Sequence, residues 1–310
     1  MNASRTSTGP AIEVAGLSKS YGELRAVREV SFEVGHGEVF CLLGPNGAGK
    51  TTTVEILEGY RERSGGEVRV LGMDPARGQR ELHERVGIVL QSCGVQSELT
   101  VAELLEMYGR YYSRSRPAEE LLELVELDAK RDVRASQLSG GQRRRLDLAL
   151  GLVGDPDLVF LDEPTTGFDP AARRHAWETI RSLCSLGKTI FLTTHFMDEA
   201  QYLADRIAVM RAGEIIASGK PEEIGGRDLR PTEIRFALPA GMSASDLPDT
   251  GAQDVVVDGD LVLLRSSDGL RTTHAVTEWA LAGGFELERF SVAQPSLEDI
   301  YLELTAEEAQ

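Results

Sequence analysis

The sequence predicts an α/β protein: a parallel sheet with covering helices through roughly the first 225 residues, followed by a small α+β module. Strand-like and helix-like segments alternate through that first part. Three strand candidates, Val39–Leu43, Leu158–Leu161 and Thr189–Thr193, are almost continuously apolar, as strands buried on both faces are. After Gly225-Gly226 the charge balance shifts: 16 acids stand against six arginines and no lysine, so −10 of the net −17 lies in the last 85 residues. A length of 310 residues suits about two domains, expected at 11–225 and 226–310.

The strand candidates in order are Ile12–Leu17, Val30–Val34, Val39–Leu43, Glu67–Leu71, Gly87–Leu90, Leu158–Leu161 and Thr189–Thr193. Thr100 followed by Glu103 has capping-box spacing and opens a helix through about Tyr112. Pro117 suits the first turn of the next helix, through Leu127. Gln142–Val153 is helical, and Asp169-Pro170 opens a helix that Gly187 closes. Arg206–Met210 and Glu214–Ala217 read as a hairpin through Ala212-Gly213. In the acidic part, Glu233–Leu238, Asp254–Val257 and Leu261–Arg265 are short strands. Thr273–Ala282 is a helix broken by Gly283-Gly284, and Phe285–Val292 is expected to return as a strand.

Composition narrows the function. Apolar residues at 41% and charged residues at 27% describe a folded globular chain. The longest apolar runs, such as Leu148–Val153, fall far short of the ~20 residues that cross a bilayer, and the polar start Met1–Pro10 gives no expectation of secretion. The acidic surplus argues against non-specific binding to nucleic acid or anionic membranes. Cys41, Cys93 and Cys184 are too few and scattered for a disulfide framework or zinc site, which suits a reducing cytoplasm.

The chemistry is concentrated in three segments. Gly44-Pro45-Asn46-Gly47-Ala48-Gly49-Lys50-Thr51 matches G-x-x-x-x-G-K-[ST], between an apolar strand and the helical run Thr51–Leu57. Such glycines let backbone N–H groups curl around phosphate oxygens, and the following helix points its positive end at the same anion. Lys50 offers a cation to the β- and γ-phosphates, Thr51 a hydroxyl to Mg²⁺, and Asn46, Gly47, Gly49 and Thr52 complete the cradle for ATP. Leu158–Leu161 ends in Asp162-Glu163, where Asp162 can hold Mg²⁺ and Glu163 can act on an attacking water. Leu138-Ser139-Gly140-Gly141-Gln142 makes a second helix N-terminus with bare donors. Arg143, Arg144 and Arg145 follow it and oppose the helix dipole, so an anionic ligand or acidic neighbours must favour them.

That pentapeptide, twenty residues before the Asp162-Glu163 strand, resembles the signature of ATP-binding cassette (ABC) ATPases. The resemblance spans about 11–225. It implies a P-loop ABC ATPase domain with an antiparallel β subdomain and a helical subdomain, ahead of the small C-terminal α+β domain. It further implies that Tyr21 stacks on adenine, that Gln91 reaches Mg²⁺ and links to the transporter, and that Asp169 lies in the D-loop. Phe168 replaces the more usual leucine there. His195 would be the switch histidine, acting with Glu163 and Gln91 in catalysis. The resemblance implies a head-to-tail homodimer in which Ser139, Gly140, Gly141 and Gln142 of one copy close the ATP site of the other. It also implies a separate membrane permease, docked by residues that include 92–112, which would hold the chain at the cytoplasmic face of the membrane. Gln294–Thr305 resembles the ending of drug- and antibiotic-exporting subunits of the daunorubicin-resistance kind. An ABC exporter of a lipid or polysaccharide, a soluble ABC ATPase of translation or repair and a nucleotide-gated adaptor are the competing readings; the soluble ATPase is disfavoured by charge, the adaptor by the intact Asp162, Glu163 and His195.

Overall fold

The computed structural model describes residues 9–77, 80–89, 96–239 and 241–306. By its internal contacts the chain divides into two compact units, Met1–Pro221 and Glu222–Gln310. In chain order the first unit carries β1 (Ile12–Tyr21), β2 (Leu24–Val34), β3 (Val39–Leu43), α1 (Lys50–Leu57), β4 (Gly65–Val70), α2 (Arg80–Arg85) and β5 (Val86–Val89). It continues with α3 (Val101–Gly109), α4 (Ala118–Leu124), α5 (Gly140–Leu152), β6 (Leu158–Asp162), α6 (Pro170–Ser185), β7 (Thr189–Thr194), α7 (Met197–Leu203), β8 (Arg206–Arg211) and β9 (Glu214–Gly219).

Two sheets build it. The six-stranded sheet has the order β5-β6-β7-β3-β8-β9, parallel except for β9, which pairs antiparallel with β8. β3 sits between β7 and β8 with all five residues buried, which explains its unbroken apolar run. A smaller antiparallel sheet has the order β2-β1-β4. The two meet through stacked aromatics: Phe32 of β2 lies 5.1 Å from Phe40 of β3, which lies 5.5 Å from Phe191 of β7. β1 and β2 run longer than their apolar cores suggest, because antiparallel pairing continues through polar residues to the turn between Tyr21 and Leu24.

α3, α4 and α5 form a helical group whose buried faces include Leu104, Leu105, Leu121, Leu122 and Leu146. Thr100 and Glu103 make the expected capping box. α3 ends at Gly109 rather than at Tyr112, and α4 ends at Leu124, short of the expected Leu127, with Glu126 in a left-handed conformation (φ 52°).

The second unit has β10 (Thr232–Ala237), β11 (Asp254–Asp258), β12 (Leu261–Ser266), α8 (Gly269–Gly283), β13 (Ser291–Ala293) and α9 (Leu297–Ala306). Its antiparallel sheet has the order β11-β12-β10-β13 and a separate core around Ile234, Phe236, Val262, Leu264 and Val276. Gly284 ends α8 in a left-handed conformation (φ 70°). The strand expected over Phe285–Val292 reduces to β13. The alternating apolar residues there mimic a strand, but Phe285 packs edge-on against Trp279, with ring centroids 4.7 Å apart, instead of entering a ladder.

Candidate functional site

β3 delivers its chain directly into the phosphate-loop motif, and close packing dictates the glycines. A Cβ on Gly44 would sit 2.2 Å from the Met210 carbonyl oxygen. Gly49 has φ 106°, and a Cβ there would meet the Ala26 carbonyl oxygen at 2.5 Å. The loop leaves the backbone amides of Gly47, Gly49, Lys50, Thr51 and Thr52 without a protein acceptor among the described residues. Five orphan donors at a helix start are a cradle for an anion rich in acceptors. Lys50 is buried, 5% exposed, and its Nζ donates to the Gly44 and Pro45 carbonyl oxygens at 2.7 and 3.1 Å. Burial pulls the Lys50 ammonium below its usual range, against the carboxylates of Glu163 and Asp162, which favour its charge.

β6 ends beside it. Asp162 Oδ1 accepts from the Thr193 hydroxyl at 2.5 Å. Glu163 takes a left-handed backbone conformation (φ 46°), uncommon outside glycine and held by its amide donating to the Thr193 carbonyl oxygen at 3.1 Å. Its Oε2 accepts from Thr166 at 3.1 Å, and its Oε1 lies 3.8 Å from Lys50 Nζ and 3.3 Å from His195 Nδ1. That histidine nitrogen is buried and makes no hydrogen bond among the described residues. The His195 ring contacts Phe196 at 4.1 Å, and the Arg173 guanidinium covers Phe196 at 4.2 Å. A cleft of about 500 Å³ joins Tyr21, Asn46, Gly47, Gly49, Lys50, Thr51, Thr52, Asp162 and Glu163.

The orphan amides and buried cation fit a triphosphate. Among the described residues no cluster of three or more His, Cys, Asp or Glu side chains could hold a metal. The Thr51 hydroxyl and the Asp162 carboxylate both line the phosphate-loop cleft and could hold a divalent ion together with phosphate oxygens and water. Gln91 lies outside the described residues.

Ser139, Gly140, Gly141, Gln142 and Asp169 line a different cleft, of about 850 Å³, that shares no residue with the first. Ser139 and Gln142 form a reciprocal capping box at the start of α5, with bonds of 3.3 and 3.0 Å. A Cβ on Gly140 or Gly141 would meet nothing within 4 Å, so the backbone there faces open space. Asp169 caps α6, accepting from the amides of Ala171 and Ala172 at 3.0 and 2.9 Å.

Among the described residues the arginines after the signature donate to backbone carbonyls, and acids stand near them, Glu126 by Arg145 and Asp147 by Arg143 and Arg144. Arg144 donates to the carbonyl oxygens of Pro164 and Glu163 at 3.1 Å and of Asp162 at 3.3 Å, and Arg143 to that of Ala135. Arg145 reaches the Glu126 carbonyl oxygen at 3.2 Å, with the Glu126 carboxylate 3.8 Å away. The sequence reading passed over Glu199. It is fully buried on α7, and its Oε1 accepts from Thr165 at 2.6 Å and from the Trp177 indole at 2.9 Å. Burial pushes its carboxyl above the usual range, opposed by these donors.

A parallel sheet, a glycine loop leading into a helix and an acidic strand end opposite a buried lysine define a P-loop nucleotide-binding protein. The comparisons refine this. Residues 27–166 match the family described as ABC transporter, and residues 232–296 match the C-terminal domain of ABC-transporter-domain-containing proteins. The "Nod factor export ATP-binding protein I" of Rhizobium meliloti (strain 1021) is 42% identical over 308 residues, covering 96% of this chain and 89% of that one. Its counterpart in Paraburkholderia xenovorans (strain LB400) is 40% identical over 305 residues, covering 97% and 98%. Among solved structures, an ATP-binding subunit of an ABC transporter superposes with a TM-score of 0.63 at 27% identity, covering 71% of this chain and 93% of that one. A dimeric ATP-binding cassette holding ADP and Pi in a post-hydrolysis state gives 0.61 at 26%, covering 67% and 98%. The chain belongs to the ABC transporter family as an ATP-binding subunit, an ATPase coupled to transport.

Proposed function

We propose that two copies of this chain enclose ATP between the phosphate-loop cleft of one and the Ser139–Gln142 cleft of the other, and that hydrolysis energises export through a separate membrane permease. One observation carries this reading: a single chain holds two clefts suited to phosphate that share no residue. Either alone leaves a bound triphosphate open on one side. The dimeric cassette holding ADP and Pi is similar enough in fold to support the arrangement.

The amides of Gly47, Gly49, Lys50, Thr51 and Thr52, with Lys50 Nζ, bind the phosphates, and Tyr21 stacks on the base. Mg²⁺ would be held by Thr51, Asp162 and Gln91 and would offset charge on the phosphate oxygens. Glu163 orients and deprotonates the attacking water. His195, whose Nδ1 lies 3.3 Å from the Glu163 carboxylate, senses or polarises the γ-phosphate. Ser139, Gly140, Gly141 and Gln142, with Asp169, close the site from the partner copy.

No helix among the described residues is long and apolar enough to cross a membrane; membership of the ABC transporter family supports a separate permease, with the chain attached to it at the cytoplasmic membrane face. Tyr111 is exposed at the end of the stretch proposed for docking. The cargo of this proposal is a small amphipathic compound such as a drug or antibiotic. The relatives favour a second cargo, the Nod factor that their names specify. The test of the site is Glu163→Gln. It should bind ATP yet release phosphate at least about 100-fold more slowly; turnover near that of the wild type would refute the role given to Glu163.

A further inference from the structure

Tyr21 ends β1 at an exposed turn, 40% accessible, a position where a ring is ordinarily free to swing. Two cations hold it. Lys19 Nζ stands 5.1 Å from the ring centroid and the Arg61 guanidinium carbon 5.3 Å, both within cation–π range. Neither cation is among the residues that line the cleft Tyr21 lines. Each has its own anchor. Lys19 Nζ donates to the Glu62 carbonyl oxygen at 2.7 Å, and Arg61 Nε donates to the Glu55 carboxylate. Glu55 belongs to α1, the helix whose first turn carries the orphan amides. A continuous linkage therefore runs from the phosphate-binding helix through Glu55 and Arg61 to the aromatic platform.

We propose that Arg61, fixed by Glu55 and assisted by Lys19, is a positioning residue that holds the Tyr21 ring at a set distance from the phosphate loop and so contributes base-dependent affinity for a purine nucleoside triphosphate. This rests on the reading of Tyr21 as the base platform. Cations held against the ring order it before the nucleotide arrives, so less rotamer freedom is lost on binding.

Isothermal titration of the full chain with ATP and with inorganic tripolyphosphate, which has no base, tests this. Arg61→Ala should weaken ATP binding about two- to fivefold, the range of an exposed cation–π contact, and leave tripolyphosphate binding unchanged. Glu55→Gln should give a smaller loss of the same kind, and Arg61→Lys should recover part of it. In a Tyr21→Ala background, Arg61→Ala should cost nothing further. Equal losses for both ligands, no loss at all, or the same loss with and without Tyr21 would overturn the proposal. If Tyr21→Ala itself leaves ATP binding unchanged, the stacking role of Tyr21 fails instead.

Discussion

Glu58 offers the sharpest stability test in the first unit. It follows α1 with its side chain only 2% exposed, and its Oε1 finds no partner among the described residues. Burial, reinforced by the nearby charges of Asp162 and Glu55, pushes its carboxyl from the ordinary 4.5 to about 8. The folded protein therefore keeps a proton that the unfolded chain releases above about pH 4.5. Stability from this group is complete below that point and is lost as pH rises through about 8. Holding that proton, or ionising in place, costs the folded state about 2 kcal/mol at about pH 6 and about 5 kcal/mol at about pH 9, at about 1.4 kcal/mol per pH unit. Glu58→Gln keeps the shape and removes the titration. Relative to wild type, the variant should gain about 3 kcal/mol in stability between those two conditions. Taking the difference between conditions cancels any fixed penalty for a buried amide. Urea unfolding of the nucleotide-free chain would measure it, with Trp177 emission reporting the first unit in a Trp279→Phe background. A gap that does not change with pH, or one that narrows as pH rises, would refute the reasoning.

Two further outcomes follow from the local geometry. Gly49→Ala combines φ 106° with a contact of 2.5 Å to the Ala26 carbonyl oxygen, so it should lose ATP binding and about 2 kcal/mol or more of stability by urea unfolding. Glu199→Ala leaves the buried donors of Thr165 and Trp177 without their acceptor. It should cost roughly 2–5 kcal/mol, with Trp177→Phe losing less, as thermal unfolding would show.

The phosphate loop was legible because its constraints are local. A strand buried on both faces reads as an apolar run, and positive φ or a close carbonyl admits only glycine. The capping box at Thr100 was readable for the same reason, being fixed by spacing alone; at Ser139 the sequence suggested only a helix start with bare donors, whereas Ser139 and Gln142 cap each other. Tertiary contacts left weaker traces. Glu199 looks like any helix-surface acid until α6 and Thr165 fold over it. Arg144 was expected to answer to an anionic ligand or acidic neighbours; it also donates to carbonyls at the exit of β6, which only the packing of α5 on that strand could disclose. The alternation Phe285-Glu286-Leu287-Glu288 has strand periodicity, but Phe285 turns back onto Trp279. Arg61 gave no sequence signal, because its relation to Tyr21 depends on where α1 meets the β1 turn.

The composite site can be tested by mass. Sedimentation velocity of the Glu163→Gln chain with magnesium and ATP should give a dimer, and adding Ser139→Arg should return it to a monomer that still binds ATP through its phosphate loop, more weakly than the dimer does. A Glu163→Gln chain that stays monomeric under saturating nucleotide would contradict the two-copy site, as would a Ser139→Arg chain that still forms the dimer or that no longer binds ATP at all.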